Sequence, residues 1–359
     1  MKTLDRYLLR SFAGPMSAST GAFLTVAVVV DMFERLDTFL DNHVAAGLIT
    51  KYYLAKLQFL FVLVLPVATL IGVLFSLGGM ARRSELIAIT ASGISLYRIL
   101  APLLIAGLGV SLIASVFTVE IVPRGNEVSS DILDHEIKGR PRLEHDLRSD
   151  LNYLGMGGRY FLMRTFDGKK NMMKDVVVQA FAGGTLVQRI DAKSAQWENG
   201  IWVFHDGYLR KFLPNGRVEA QPFTERAFPD IKEQPHDFLR PIKEPVEMTL
   251  GELIEHTKRS KLSGADVTRL LVEKHRRFSF PFANFLVVLL GAPMTGAIRR
   301  SGHAVGFALA LFVGFVYYVL LEIGSTLGLN GTLPASVAAW LPNFVFLLAG
   351  LYGLYKTRK

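Results

Sequence analysis

Few residues in this 359-residue chain stand at spacings that chemistry uses, and most of those argue against catalysis. The eight histidines (His43, His135, His145, His205, His236, His256, His275 and His303) include no i, i+3 or i+4 pair, so no two share a helical face around a metal ion. There is no Gly-x-x-x-x-Gly-Lys-Ser/Thr loop to cradle phosphates, no Gly-x-Ser-x-Gly and no His-Glu-x-x-His, which removes the usual routes to ATP, ester and zinc-dependent hydrolysis. Cysteine is absent, so disulfides and thiolate metal sites are excluded. No cofactor or metal is expected. The segment with a usable pattern is Met80-Ala-Arg-Arg83-Ser84-Glu85-Leu86-Ile87-Ala-Ile89-Thr90-Ala-Ser-Gly93. Ser84 suits an N-cap, Glu85 the positive end of a helix dipole, and Gly93 the C′ position. Between them a short helix would expose Leu86, Ile87 and Ile89. Such a helix fits docking into a partner protein, and it equally fits resting on lipid headgroups.

The elements around this segment are long and uncharged: Ser11–Val30, Leu57–Ala81, Ile99–Val119, Phe278–Ile298, Ala304–Leu321 and the later part of Ile323–Tyr355. Each reaches the roughly 20 residues that cross about 30 Å of hydrocarbon. The first stretch ends in Val-Val-Val-Asp31 with no small-x-small cleavage pattern and is read as a retained helix. Six such helices, three on each side of a long polar segment, predict a membrane protein with an inserted domain. The spans carry no charge, with Glu322 placed at the outer end of the fifth helix and Asp31 and Lys56 at interfaces. An empty bilayer core argues against ion coupling, so energy must arrive from another subunit.

Charge sets the orientation. The N-terminal tail, the second-to-third and fourth-to-fifth connections and the C-terminus hold 11 of the 40 basic residues and two of the 31 acidic ones, leaving 29 of each elsewhere. The whole formal charge of +9 therefore lies on one side, which places both termini in the cytoplasm and the inserted domain outside. That topology accounts for the basic excess and leaves none for binding nucleic acid.

The inserted domain changes period. Arg159–Met163, Val176–Phe181, Thr185–Ile190, Ala195–Trp197, Ile201–Phe204 and Tyr208–Phe212 are short β-branched and aromatic runs, separated by Asp167-Gly, Gly183-Gly, Glu198-Asn-Gly, Asp206-Gly and Asn215-Gly. They predict an antiparallel sandwich or jelly roll, whose inward apolar residues would form a core or hold a lipid chain. Helical flanks are expected at Val122–Lys138 and Thr249–Lys261, and a further helix starting near Ser263 or Ala265. The domains follow: 1–123 with three membrane helices and a short connecting helix at about 83–93, 124–262 with the β-domain, and 263–359 with the last three helices.

Leu4-Asp5-Arg6-Tyr7, Pro66-Val-Ala-Thr-Leu-Ile-Gly72, Ala81–Gly93 and the closing Phe315-Val-Tyr-Tyr318 and Leu341-Pro342 resemble the LptF/LptG family, permease subunits of the lipopolysaccharide-export ABC transporter. The opening tetrapeptide is closer to the LptG branch. The resemblance implies two paralogous six-helix permeases on a dimer of a cytoplasmic ATPase in the bacterial inner membrane. They would take lipopolysaccharide from the outer leaflet and pass it, through the jelly roll, to a periplasmic bridge protein of the same fold. It makes Arg83, Ser84, Glu85, Leu86 and Ile87 a coupling helix, with Arg83 and Glu85 making polar contacts to the ATPase, and puts Phe312 and Phe315 on an acyl-chain cavity. One departure stands out. Lysines expected at the outer end of the first helix are replaced by Asp31-Met-Phe-Glu34-Arg35-Leu-Asp37 and Asp41, which would repel lipid phosphates. Arg35, Lys51, Lys56, Arg276 and Arg277 remain as cations for that interface. Other readings are a non-transporting scaffold that anchors a periplasmic β-domain, a permease for another glycolipid, and a membrane hydrolase, the last disfavoured for want of a nucleophile–base pair.

Overall fold

In the computed structural model, residues 3–139, 147–155, 159–182, 185–213, 216–239, 243–262 and 266–356 are described. The expected helix start at Ser263 or Ala265 and the turns at Gly183-Gly and Asn215 lie outside them in whole or in part. The chain divides into a helical unit (Met1–Lys138, Glu244–Gly251 and Thr268–Lys359) and a β unit (Gly139–Lys243 and Glu252–Val267).

Six helices of the first unit are long and apolar enough to cross a membrane. They begin with α1 (Thr3–Glu34), which a short α2 (Leu36–Asp41) follows, and α3 (Ala46–Arg82). After the short α4 (Glu85–Ala91) comes α5 (Leu96–Val116), which runs without a break through a π-helical turn (Phe117–Ile121), α6 (Val122–Asp131) and a second π-helical segment (Ile132–Ile137). Past the β unit, with α7 (Pro235–Leu239) and α8 (Leu250–Leu262), come α9 (Thr268–Ser301), α10 (His303–Leu329) and α11 (Ala335–Lys356). Glu322 is therefore not at the end of the fifth membrane helix. It lies two turns inside α10, whose apolar pattern resumes after it.

α3 and α9 are central. Leu70, Ile71 and Leu74 of α3 pack with Leu286 and Val287 of α9, Val313 and Tyr317 of α10 and Phe346 of α11. Val73 and Leu77 pack with Leu8 and Phe12 of α1 and with Ile99 and Leu103 of α5. Gly72 lets α1 approach: a Cβ there would lie 2.9 Å from Met16 and 3.0 Å from the Phe12 ring. The buried Tyr317 and Asn343 find partners inside the bundle, as hydrocarbon demands. The Tyr317 hydroxyl donates to Asn343 Oδ1 at 3.0 Å, and Asn343 Nδ2 donates to the Ser279 carbonyl at 2.7 Å.

The β unit is one six-stranded antiparallel meander, β1 (Leu147–Leu154), β2 (Arg159–Asp167), β3 (Met172–Ala182), β4 (Thr185–Glu198), β5 (Ile201–Phe212) and β6 (Val218–Phe228), paired in chain order. Two pairs of expected runs fuse: Thr185–Ile190 with Ala195–Trp197 into β4, and Ile201–Phe204 with Tyr208–Phe212 into β5. Asp206-Gly is not a turn. Asp206 takes a left-handed conformation within β5, as do Asp150 in β1 and Asp175 in β3 (φ 50°, 50° and 48°), which a short polar side chain tolerates. At the same level the spacing of buried residues lengthens from two to three on five strands: Arg148/Leu151, Met163/Phe166, Met173/Val176, Ala192/Ala195 and Phe204/Gly207. These positions pair with one another across the sheet. The result is a crease, lined outside by Arg164–Asp175 (3.5 Å) and Lys193–Asp206 (3.7 Å) ion pairs. Both halves of the creased sheet turn their apolar sides inward, which reconciles a sandwich-like core with a single sheet. Phe161, Phe166, Trp202 and Phe204 fill that core with Phe238 of α7, so the inward residues pack on one another.

Candidate functional site

The expected lipid-facing cations gather in the helical unit. A cavity of about 690 Å³ is lined by Arg35, by Tyr52, Lys56 and Phe59 of α3, by Glu273, Arg276, Arg277 and Phe280 of α9, and by Phe315, Tyr318 and Glu322 of α10. Thr118 and Leu133, one from each π-helical segment, complete its α5–α6 wall with Val122 and Asn126. Such local widening of a helix is common at functional sites. Four of the lining residues are cations and two are carboxylates, while Phe59, Val62, Leu63, Phe280, Phe315 and Val319 supply apolar wall.

Asp31 organises the cations at the α1 end. Its Oδ1 lies 2.5 Å from Lys56 Nζ and its Oδ2 3.3 Å from Arg35 Nε, and the Tyr53 hydroxyl donates to Oδ2 at 3.1 Å. Lys56 also donates to the Tyr52 hydroxyl at 2.9 Å, and the Arg35 guanidinium lies 5.6 Å from the Tyr52 ring centre, within cation–π range. On the opposite wall Glu273 holds Arg276 Nε at 3.1 Å and Arg277 Nε at 3.4 Å, while Arg277 Nη2 donates to the Pro245 carbonyl at 2.7 Å. The acidic residue that looked repulsive is thus paired with two cations, as Glu273 is. Lys51 is exposed and does not line the cavity; Phe312 and Phe315 are 63% and 66% exposed on α10, and of the two Phe315 alone lines it. Tyr52 and Glu273 are not singled out by the sequence, and Tyr318 enters there only within the closing Phe315-Val-Tyr-Tyr318 pattern. Two of them were within reach: Tyr52 stands four residues before Lys56, and Glu273 three and four before Arg276 and Arg277, which places each on its partner's helical face.

A second polar cluster surrounds α4. The Tyr7 hydroxyl donates to Glu85 Oε2 at 2.8 Å and accepts from Arg83 Nη2 at 3.1 Å, and Arg83 Nε donates to Glu85 Oε1. The hydrogen bond from Arg83, and more weakly that from Tyr7, holds the Glu85 carboxyl below its ordinary range against partial burial. Beside it, Arg98 Nη2 reaches both carboxylate oxygens of Asp5, at 2.8 and 3.1 Å. The helix ends differ from expectation in one respect. Ser84 occupies the N-cap position in a left-handed conformation (φ 61°), and its side chain caps nothing. Gly93 has φ +87°, as a C′ residue should. The apolar face is also divided. Leu86 and Ile89 are half-buried against the core around Leu8 and Met80, which leaves Ile87 as the exposed large apolar residue of α4, at 46%. Among the described residues no His, Asp or Glu group is arranged to hold a metal ion.

Over residues 6–356 the chain matches the family described as lipopolysaccharide export system permease LptF/LptG. It is 22% identical to the lipopolysaccharide export system permease protein LptG of Haemophilus influenzae, over 97% of both chains. It is 21% identical to the protein of the same name from Escherichia coli K12, over 98% of both.

Proposed function

The chain belongs to the LptF/LptG family of lipopolysaccharide export system permeases, and from that premise we propose that it binds the anionic head of the lipid at the Arg35–Lys56–Arg276–Arg277 cavity. It is a multi-pass permease subunit of the lipopolysaccharide-export transporter, of the LptG kind. Its ATP is hydrolysed by a cytoplasmic ATPase dimer that docks on α4, and a paralogous six-helix permease completes the membrane part. The lipid is drawn from the outer leaflet of the inner membrane and passed by way of the β unit to a periplasmic bridge protein. The concentration of Lys and Arg at one end of the bundle supports this orientation.

One observation carries the reading: four cations and an apolar wall share one cavity of about 690 Å³. Phosphate takes the guanidinium groups, and acyl chain takes Phe280, Phe315 and Val319. A cavity of this size admits the head and the first part of the chains, not a whole lipopolysaccharide, so the rest must extend into lipid or a partner. The test is a photoreactive residue placed at Phe315 or at Phe312 in cells making lipopolysaccharide. Adducts are expected at Phe315, which lines the cavity, and not at Phe312, which does not. Equal adducts at both, or none at Phe315, would overturn the assignment.

A further inference from the structure

We propose that Tyr7 is a positioning residue that ties the first membrane helix to α4, so that displacement of α4 by its cytoplasmic partner tilts α1 and moves the cavity mouth. The inference rests on the reading that α4 receives the ATPase.

The Tyr7 hydroxyl uses both of its capacities, donating to Glu85 Oε2 and accepting from Arg83 Nη2. It thereby joins helices 78 residues apart in sequence. Phenylalanine has the reach but neither function, and serine has the functions without the reach. The same end of α1 is gripped twice more. Asp5 is held by Arg98 of α5. Leu8 and Phe12 are buried, with Phe12 and Met16 pressed against Gly72 of α3, and the Ser11 and Ser76 hydroxyls are 2.6 Å apart. Beyond Phe12 no residue of α1 is buried. Val26, Val30 and Phe33 are exposed, at 56, 50 and 66%.

α1 is therefore a rod buried most deeply in its first third; beyond it one face still rests on the bundle, with Phe23 and Val28 half-buried and Asp31 bonded to Lys56 and Tyr53 of α3. The pivot is the Phe12–Met16 contact on Gly72, and the single proline of α1, Pro15, falls inside it. From Tyr7 to the pivot is about 10 Å at 1.5 Å per residue, and from the pivot to Asp31 about 25 Å. A 1 Å shift of Tyr7 with α4 thus becomes roughly 2–3 Å at Asp31, in the opposite direction. Asp31 is the residue that positions Lys56 and Arg35. Exposure decides when the link is stiff. Tyr7 is 41% exposed and the Arg83 side chain 57%, so water competes for these hydrogen bonds while α4 is uncovered. A partner seated on α4 excludes that water and strengthens the contact.

The test uses the assembled transporter in lipid nanodiscs, with the other subunits freed of reactive cysteine. Because this chain contains no cysteine, Phe33→Cys gives it a unique spin-label site near the outer end of α1. The parent complex is expected to show a nucleotide-dependent change at the label and ATP-driven lipid release. In Tyr7→Phe both should fall by about fivefold or more, while ATP hydrolysis and assembly stay near the parent level. A Tyr7→Phe complex whose label moves as in the parent would overturn the inference. So would a fall in hydrolysis equal to the fall in release, which would make Tyr7 a merely structural contact. A parent without ATP-driven release would instead sink the functional reading on which the inference stands.

Discussion

Neutralising Asp31 should tighten binding of a phosphorylated lipid, although its carboxylate is part of the proposed site. The carboxylate sits between Lys56 and Arg35 at 2.5 and 3.3 Å, where it positions both cations and cancels part of their field. For a lipid phosphate about 7 Å from it, Coulomb repulsion at an effective dielectric of about 20 is about 2 kcal/mol. Water at the mouth and physiological salt reduce this to about 1 kcal/mol, or about fivefold in affinity. Lys56→Met should act in the opposite sense, weakening binding by about tenfold through loss of a charge-assisted hydrogen bond. Asp31→Asn carries a cost in stability. The Lys56 and Asp31 side chains are only 13% and 14% exposed, and breaking such a half-buried pair costs about 1–2 kcal/mol. Folding and affinity should therefore move in opposite directions, a combination that non-specific damage does not produce. The assay is titration of the chain in nanodiscs with lipopolysaccharide at about 0.05 and 0.5 M salt, with melting temperature followed in parallel; the difference between variants should shrink at the higher salt. If both variants weaken binding, the carboxylate contributes directly, as it would by sharing a divalent cation with the lipid, and the sign argument fails.

Three further outcomes are expected. Gly72→Ala places a methyl group 2.9 Å from Met16 and 3.0 Å from the Phe12 ring, so α1 must shift at a cost of about 1–3 kcal/mol; Gly14→Ala, with no atom within 4 Å, should leave the melting temperature unchanged. Trp202→Ala empties a fully buried position and removes the donor at 2.7 Å from the Glu233 carbonyl, a loss of about 3–5 kcal/mol that limited proteolysis within residues 159–228 would register. Because Arg83 and Tyr7 hold the Glu85 carboxyl below its ordinary value of 4.5, its contribution is fully present above that pH and is lost only as pH falls through the lowered value. ATP-driven release by the parent complex at pH 5.5–8 should accordingly show no inflection that Glu85→Gln abolishes.

What was legible in the sequence divides by the distance over which information must travel. Membrane helices require only a local run of apolar residues, and six were readable on that ground. Their ends are not, because a charge need not mark a boundary: Glu322 lies inside α10, lining a cavity with Arg276 and Arg277, and a carboxylate so placed need not sit at a helix end. In the β unit the same local rule misled once more. Asp206-Gly has turn chemistry, yet β5 continues through it, because the left-handed aspartate serves a crease formed jointly with Asp150 and Asp175 on other strands. No single strand contains that information. The Tyr52–Lys56 and Glu273–Arg277 pairs each lie on one helix and could have been read from spacing four. The contacts that assign roles cross between helices: Asp31 to Lys56 over 25 residues, and Tyr7 to Glu85 over 78. The acidic stretch after α1 shows the consequence. Counted along the chain, Asp31 makes the rim hostile to phosphate. Placed against α3, it is the group that holds Lys56 and Arg35 together, and the charge that meets a ligand there is that of the whole cluster.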